Sequence, residues 1–192
     1  MTRGGTTQAA GNCLSNPTGE FKSIPEHDAV ALLGADHRKV EGFFAKSEVA
    51  SDDGVKQVLA MQICLELTIH TKIEEDVFYP ACEGSVAEDL LKEAYVEHDG
   101  AKVLIAEIEA DGPHDEFYDA KVRVLLEQIE HHVKEEEQRI AQARRAGLDM
   151  DALGGKMVAE KQLLMEIYKS RAPPTPETRT LAATTIGETT HG

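Results

Sequence analysis

Four of the eight histidines in this sequence are followed, four residues later, by a glutamate. The pairs are His37 and Glu41, His70 and Glu74, His131 and Glu135, and His132 and Glu136. This spacing places both side chains on one face of an α-helix, with their Cβ atoms about 5–6 Å apart. An imidazole nitrogen and a carboxylate oxygen can then bind one metal ion or bridge two neighbouring ions. Because these ligands together suit iron, manganese or zinc, the pairs predict a metal site built on helices.

The predicted ligands are the six histidines and glutamates that fall on the apolar faces of four predicted helices. They are His37, His70, Glu74, His98, His132 and Glu136. A single histidine on an apolar face is more often a hydrogen-bonded core residue than a ligand. Four imidazoles and two carboxylates in one core, however, would be costly desolvated groups without a cation. Metal binding is therefore the favoured interpretation of the set as a whole.

Several charged neighbours of these ligands are predicted to face solvent. They are Glu75, Asp76, His131, Glu135 and Glu137. His131, for example, lies about 100° from His132 around a helix. The role of Glu41 stays open between a ligand, a residue that supports a ligand and a surface residue. The Glu-x-x-His spacing of ferritin-like sites occurs only at Glu188 and His191, in a predicted tail, so a site of that kind is disfavoured.

Five helices joined by short connections are predicted to position these residues. Their starts are predicted at a capping box over 23–26, at 51–53, at a second capping box over 85–88, near 115 and near 149. Short connections make consecutive helices antiparallel neighbours. The sequence therefore predicts an all-α fold, an up-down four-helix bundle with an additional C-terminal helix.

The same pattern divides the chain into four parts. They are a flexible tail over 1–22, the bundle over 23–147, the additional helix over 148–170 and a disordered, Pro- and Thr-rich tail over 171–192. Neither tail has enough apolar side chains to offset the entropy lost on ordering, so both are predicted to be mobile.

The composition argues against several classes of function. The chain has 192 residues, with 20 Lys and Arg against 35 Asp and Glu, which gives a net charge of −15. An acidic surface repels phosphate backbones and anionic lipids, so neither nucleic acid nor a membrane is an expected partner. The three cysteines do not form a disulfide framework, and we find no secretory signal, so the expected location is the cytoplasm. No Gly-x-Ser-x-Gly or P-loop motif suggests hydrolysis.

At its histidine and glutamate motifs the sequence resembles the hemerythrin-like family, the HHE cation-binding domains. The matching segments are 36–38 with 43–44, 67–75 with 78–80, 97–98 and 131–137. The resemblance implies an up-down four-helix bundle around an oxo- or hydroxo-bridged pair of iron ions, with manganese or zinc as other possible occupants. It implies terminal ligands at His37, His70, His98 and His132, and bridging carboxylates at Glu74 and Glu136.

Two places depart from the family pattern. The oxygen carriers of the family have a fifth histidine one turn after the third-helix ligand, where this sequence has Lys102. Residues 138–140 stand where family members often have Phe-Pro. The absent histidine leaves a coordination position for water, for a substrate or for a side chain such as Glu97, Tyr95 or Glu41. Simple reversible carriage of oxygen is therefore not expected.

The resemblance and the open position together predict a non-heme di-iron protein that binds or reacts with a small oxidant, namely oxygen, peroxide or nitric oxide. Whether it is an enzyme stays open. One alternative is an iron or redox sensor that acts through a protein partner, or a protein that stores or handles iron. Another is a structural bundle that holds zinc or manganese without catalysis.

Overall fold

A computed structural model of the chain describes residues 28–170 and 177–181. All regular structure within these residues is helical, in the order α1 (Ala29–Val49), α2 (Asp53–Ile73), a π-helical segment (Glu74–Phe78), α3 (Tyr79–Cys82), α4 (Glu88–Asp111), α5 (Tyr118–Arg145) and α6 (Met150–Ser170). Helix α1 packs against α2, α4 against α5, and α6 against both α1 and α2. The predicted all-α bundle with an additional C-terminal helix is confirmed. None of the described helices is long and apolar enough to cross a lipid bilayer.

Three of the long helices begin at an aspartate that caps them. The side chains of Asp28, Asp52 and Asp149 each accept a hydrogen bond from the backbone N–H three residues later, at 2.9–3.0 Å. A cap of this kind satisfies one of the N–H groups that a helix start leaves without a partner. The starts predicted near 51–53 and near 149 are therefore in place.

The predicted capping box at Ser85 is wrong. Helix α4 begins at Glu88 after Ala87, whose side chain cannot cap it. The Ala87 N–H instead donates to the Gln142 side-chain oxygen at 2.9 Å, so a residue of α5 satisfies the start of α4. The other predicted capping box, over 23–26, lies outside the described residues.

A layer of polar side chains separates two apolar clusters in the interior. Members of the first cluster include Leu33, Ile73, Ala94 and Ala143. Members of the second include Val40, Leu67, Ala101 and Leu125. In each of α1, α2, α4 and α5, one predicted histidine ligand lies in sequence between the two clusters. Apolar packing on both sides therefore holds the four histidines at one level of the bundle.

Helix α2 continues through the π-helical segment into α3 instead of ending in a turn. The Tyr79 N–H donates to the carbonyl of Glu74, five residues earlier, which widens this turn by one residue. Pro80 has no N–H to donate, and its ring would clash with the carbonyl four residues earlier in a regular helix. We attribute the wide turn to this clash. The turn brings both Glu74 and Glu75 into the interior, where they are 0% and 4% exposed.

Most of the two predicted tails lies outside the described residues, which exclude 1–27, 171–176 and 182–192. Residues 177–181 belong to the tail that was expected to be disordered, yet they lie against α4. There the side chain of Asp99 accepts hydrogen bonds from three consecutive backbone N–H groups of the segment. The domain boundaries drawn from the sequence remain predictions.

Candidate metal centre

The four histidines predicted as ligands meet in the middle of the bundle as two pairs. Nε2 of His37 lies 3.1 Å from Nε2 of His70. Nε2 of His98 lies 3.3 Å from Nε2 of His132. The four side chains come from α1, α2, α4 and α5, and each is at most 12% exposed. The structure thus brings together the histidines that the periodicity placed on apolar faces.

Glu74 lies between the two pairs. Its Oε2 atom is 3.2 Å from Nε2 of His70, 3.2 Å from Nε2 of His98 and 3.8 Å from Nε2 of His132. The side chain is completely buried, yet neither of its carboxylate oxygens has a hydrogen-bond partner of suitable geometry. A buried carboxylate without hydrogen bonds is costly, and its position between two imidazole pairs fits that of a metal ligand.

Glu136 approaches the centre from α5, beside the first pair. Its Oε2 atom lies 3.2 Å from Nε2 of His37, and its Oε1 atom is buried without a hydrogen-bond partner. All six predicted ligands therefore converge on one place. The ligand atoms of Glu74, His98 and His132 also lie within 4.8 Å of one another.

Acidic side chains hold the outward-facing nitrogens of two of these imidazoles. Nδ1 of His98 is 3.0 Å from Glu75, and Nδ1 of His132 is 2.7 Å from Glu97. When Nδ1–H donates to a carboxylate, Nε2 of the same ring carries a lone pair. The two Nε2 lone pairs then face each other at 3.3 Å. That arrangement, and the Glu74 carboxylate oxygens without hydrogen bonds, fit a bound cation, which attracts all these atoms at once.

Without a cation, the charges at this centre are balanced by protons. Burial raises the pKa of Glu136 to about 8, with a contribution from the Glu74 carboxylate. Burial alone would raise the pKa of Glu74, but the histidines around it hold that pKa well below its usual value. Burial opposes protonation of His70, yet Glu74 and Asp36 raise its pKa to about 10. Burial and the charge on His70 lower the pKa of His37 to about 4.

The prediction that Glu75 faces solvent is wrong. Its Oε1 atom accepts hydrogen bonds from Nδ1 of His98 at 3.0 Å and from Nζ of Lys102 at 2.7 Å. Adjacent residues of a regular α-helix point about 100° apart, but the π-helical turn lets Glu74 and Glu75 both point inward. Asp76 is exposed, as predicted.

Lys102 does not point at the centre from the position of the absent fifth histidine. Its ammonium group lies between the carboxylates of Glu75 and Asp99, at 2.7 Å and 3.2 Å. The additional polar group at the centre is the hydroxyl of Tyr79, which lies 3.2 Å from Nε2 of His98. The sequence interpretation missed Tyr79 because a regular helix would not return it to the face of Glu74, whereas the five-residue turn does.

The three side chains considered for the open position lie elsewhere. Glu97 contacts Nδ1 of His132, on the outer side of the ring. Tyr95 packs edge-on against the Tyr79 ring, with ring centroids 5.3 Å apart. Glu41 is exposed on α1.

Residues 138–140, which depart from the family pattern, include Arg139, which is fully buried. One of its terminal nitrogens lies 3.6 Å from Glu97, so it supplies a positive charge behind the carboxylate that holds His132. Burial would raise the pKa of Glu97, but hydrogen bonds from His132 and nearby groups lower it to about 2.

The neighbouring residues His131 and Glu137 are exposed, as predicted, and Glu135 is half-buried. Nε2 of His131 lies 3.1 Å from Glu135 and 3.7 Å from Glu97. The centre itself opens onto a cavity of about 20 Å³. Its lining includes all four histidines, with Val40, Leu67 and Ile129 as its apolar wall. This volume admits about one water-sized molecule.

Comparisons with known proteins agree with this geometry. The family description "Hemerythrin HHE cation binding domain" matches residues 28–143. A crystal structure of a hemerythrin HHE cation-binding domain-containing protein from Mycobacterium kansasii is similar, with a TM-score of 0.65 and 26% identity, over 76% of this chain and 93% of that chain. A curated relative, a DNA nickase from Nostoc sp. (strain PCC 7120 / SAG 25.82 / UTEX 2576), is 31% identical over 120 residues. These residues are 62% of this chain but only 34% of that relative, so the chain spans about a third of its length.

Proposed function

Because the chain belongs to the hemerythrin HHE cation-binding domain family, we propose that it is a non-heme di-iron protein that binds or reacts with oxygen, peroxide or nitric oxide. The observation that carries the proposal is the arrangement of four imidazoles in two pairs around one buried carboxylate. The pairs are His37 with His70 and His98 with His132, and Glu74 lies between them. Two imidazole pairs with a carboxylate between them would supply ligands for two ions, and this supports the proposal of a di-iron centre.

Each imidazole pair would hold one ion, and Glu74 would bridge the two. Glu136, 3.2 Å from Nε2 of His37, would complete the ligands on the side of the first pair. Iron bound here would supply open coordination positions and electrons to a small oxidant. The apolar clusters on both sides of the layer exclude bulk water, which strengthens every charge interaction inside.

Tyr79 and the narrow cavity support reaction with a small molecule over simple storage of metal. Burial raises the pKa of the Tyr79 phenol well above its usual value, so the hydroxyl keeps its proton beside Nε2 of His98. It can donate a hydrogen bond to a small ligand at that position. The cavity of about 20 Å³, which the four histidines but not Tyr79 line, admits a ligand of about the size of one water molecule.

The test is to express the chain in iron-supplemented cells and to measure iron per chain and the absorption spectrum, before and after azide. We expect two iron ions per chain and a change in charge-transfer absorption with azide. Glu74→Gln should lower the iron content. Glu41→Gln should not, because Glu41 is exposed although it has the same spacing from His37 as Glu74 has from His70. Zinc or manganese in place of iron, or a spectrum that azide leaves unaltered, would contradict the proposal.

A sensor that acts through a protein partner is a second candidate, because the metal-free centre carries buried groups without partners. Glu74 and Glu136 both have buried oxygens without hydrogen bonds, so metal binding would also stabilise the fold. Limited proteolysis with and without iron(II) tests this candidate. A sensor should be cut much faster without iron, whereas equal resistance of both forms removes the basis for it.

We also propose that the chain acts in the cytoplasm and does not bind DNA. Within the described residues, Cys64 and Cys82 are buried free thiols, as expected in a reducing compartment. The net charge of −15 opposes binding to a phosphate backbone. The chain spans only about a third of the length of the nickase named above, so the activity in that protein's name does not argue against the proposal.

A further inference from the structure

The segment 177–181 is bound to the bundle through one buried carboxylate. Asp99 on α4 is 0% exposed. It accepts hydrogen bonds from the backbone N–H groups of Arg179, Thr180 and Leu181, at 2.8 Å, 2.5 Å and 3.2 Å. The Thr180 hydroxyl donates a further bond to it at 2.7 Å. Four donors on one buried carboxylate make this a specific docking site and not a casual surface contact.

Arg179 reaches from this docked segment to the surroundings of the metal centre. Its Nε atom is 2.9 Å from Oε2 of Glu75, and one of its terminal nitrogens is 2.9 Å from Asp76. The guanidinium also lies over the ring of Tyr95, 5.5 Å from its centroid. A planar guanidinium can make these contacts together, whereas an ammonium cannot.

Both inner contacts of Arg179 lead to the same imidazole. Glu75 uses its other oxygen to accept from Nδ1 of His98, at 3.0 Å. Tyr95 packs against Tyr79, whose hydroxyl lies 3.2 Å from Nε2 of His98. Arg179 therefore supports His98 from the outer side through a carboxylate and from the inner side through two aromatic rings.

The segment also completes the charge balance beneath it. Glu75 and Asp99 are both buried, and Lys102 is the cation that both carboxylates share, at 2.7 Å and 3.2 Å. Arg179 adds a second cation, and the backbone donors of the segment take up the remaining lone pairs of Asp99. If the segment left, Lys102 would be the one cation of the described residues beside both Glu75 and Asp99, and we expect Glu75 to be drawn away from His98.

We propose that residues 177–181 form a latch on the metal centre and that Arg179 is a positioning residue, which holds Glu75 and thereby the His98 imidazole in the orientation that binds metal. The part that concerns metal rests on the proposed function, because it takes His98 to be a ligand. The docking of the latch and its effect on the His98 ring do not depend on that function. Opening the latch would loosen His98 and speed the loss of metal from the centre.

The test compares Arg179→Gln and Arg179→Lys with the wild-type full chain. Arg123→Gln is the matched control, since Arg123 is exposed on α5 beside Phe44 and Ser47 and removing it makes the same change of charge. In the metal-free chain, two quantities are measured: hydrogen exchange of the backbone amides of 177–181, and exchange of the His98 Nδ1–H proton, followed by nitrogen-15 NMR. Both should speed up in Arg179→Gln and stay unchanged in Arg123→Gln.

Release of iron(II) to a chelator is measured on the loaded chains without oxygen. We expect release about 10-fold faster from Arg179→Gln, the lower end of what loss of an outer-shell contact costs in metal affinity. Arg179→Lys keeps a charge beside Glu75 and should release iron more slowly than Arg179→Gln. The iron release of Arg123→Gln should match that of the wild type.

Unchanged exchange of the His98 ring proton in Arg179→Gln would overturn the positioning role, and unprotected amides at 177–181 in the wild type would overturn the latch itself. A wild-type chain that holds no iron defeats the proposed function, while the metal-free measurements still decide whether the latch exists. Equal iron release from all variants would overturn the link between the latch and metal retention.

Discussion

Replacing Lys102 with methionine is expected to destabilise the metal-free chain by about 3–5 kcal/mol, because it removes the cation from between two buried carboxylates. Nζ of Lys102 lies 2.7 Å from Glu75 and 3.2 Å from Asp99, and none of the three residues is more than 5% exposed. Since Arg179 stays beside Glu75, and Asp99 keeps its backbone donors, we expect the lower end of this range. For a chain of this size, a loss of about 3 kcal/mol in the free energy of unfolding corresponds to a Tm decrease of about 6–12 °C.

Thermal unfolding followed by circular dichroism, in the presence of a chelator, measures this difference. Lys92→Met is the matched control, because Lys92 makes an equally short contact with Glu88, 2.6 Å, while both side chains are more than 70% exposed. Exposed pairs contribute little, so the control should keep the wild-type Tm. The double variant Glu75→Gln/Lys102→Met should lose less stability than the two single variants together, since it removes both members of the pair.

A Lys102→Met chain as stable as Lys92→Met would refute the argument that a buried cation is needed there. Additive losses in the double variant would show that Glu75 and Lys102 do not interact in solution. Lys102→His gives an independent check of the geometry. Because the ammonium points at Glu75 and not at Nε2 of His98, a histidine at 102 should leave the azide spectrum of the iron-loaded chain unchanged.

Metal binding at pH 7 should release protons from His70 and Glu136, whose pKa values in the metal-free chain are about 10 and about 8. Because protons and metal compete for these groups, metal affinity should rise with pH from 6 to 9. Calorimetry in two buffers of different ionisation enthalpy measures the number of protons released. A metal affinity that does not change with pH would contradict the argument. Tyr79→Phe should keep the fold and weaken azide binding by about 2- to 10-fold, the cost of one hydrogen bond of about 0.5–1.5 kcal/mol. An azide affinity equal to that of the wild type would show that the Tyr79 hydroxyl does not contact the bound ligand. Burial raises the pKa of both Cys64 and Cys82 to about 12, so neither thiol should react with iodoacetamide at pH 8 until the chain is unfolded, which mass spectrometry of the labelled peptides checks.

The common position of the four histidines along the bundle axis could be predicted from the sequence because it follows from regular helical spacing. His37 lies between Leu33, four positions earlier, and Val40, three positions later, and His70 lies between Leu67 and Ile73, three positions away on either side. The same apolar faces build the core. Any regular helix that buries those faces must turn the histidines inward. The predicted bundle and the convergence of the imidazoles therefore rest on one pattern.

The residues around the ligands could not be predicted in the same way, because they depend on departures from regular spacing. Glu75 and Tyr79 point inward only because the π-helical turn changes the register after Glu74. Lysine and arginine are usually exposed, so the sequence gives no reason to expect Lys102 and Arg139 in the interior. Their pairing with buried acids lowers the free-energy cost of burying their charges. Residues 177–181 have too little apolar surface to dock by the hydrophobic effect, and polar backbone contacts to Asp99 bind them instead.

Three of the four histidines have an acidic side chain on the Nδ1 side of the ring. Glu75 and Glu97 lie within hydrogen-bond distance of Nδ1 of His98 and His132, whereas Asp36 lies 3.7 Å from Nδ1 of His70. Each of these acids also has a cation beside it. The sets are His70 with Asp36 and Lys161, His98 with Glu75 and Lys102, and His132 with Glu97 and Arg139. The cation keeps each carboxylate ionised, so the acid can orient the ring without taking its proton.

This arrangement gives the additional helix a role at the centre, because Lys161 belongs to α6 and reaches Asp36 on α1. It also singles out His37, whose hydrogen-bond and ion-pair contacts in the described part of the chain all involve Nε2. His37 is the most exposed of the four rings, at 12%, and it lines the cavity. A ring that no carboxylate holds from behind costs least to displace. Of the four rings, His37 is therefore the one that an incoming ligand should displace from the metal most easily.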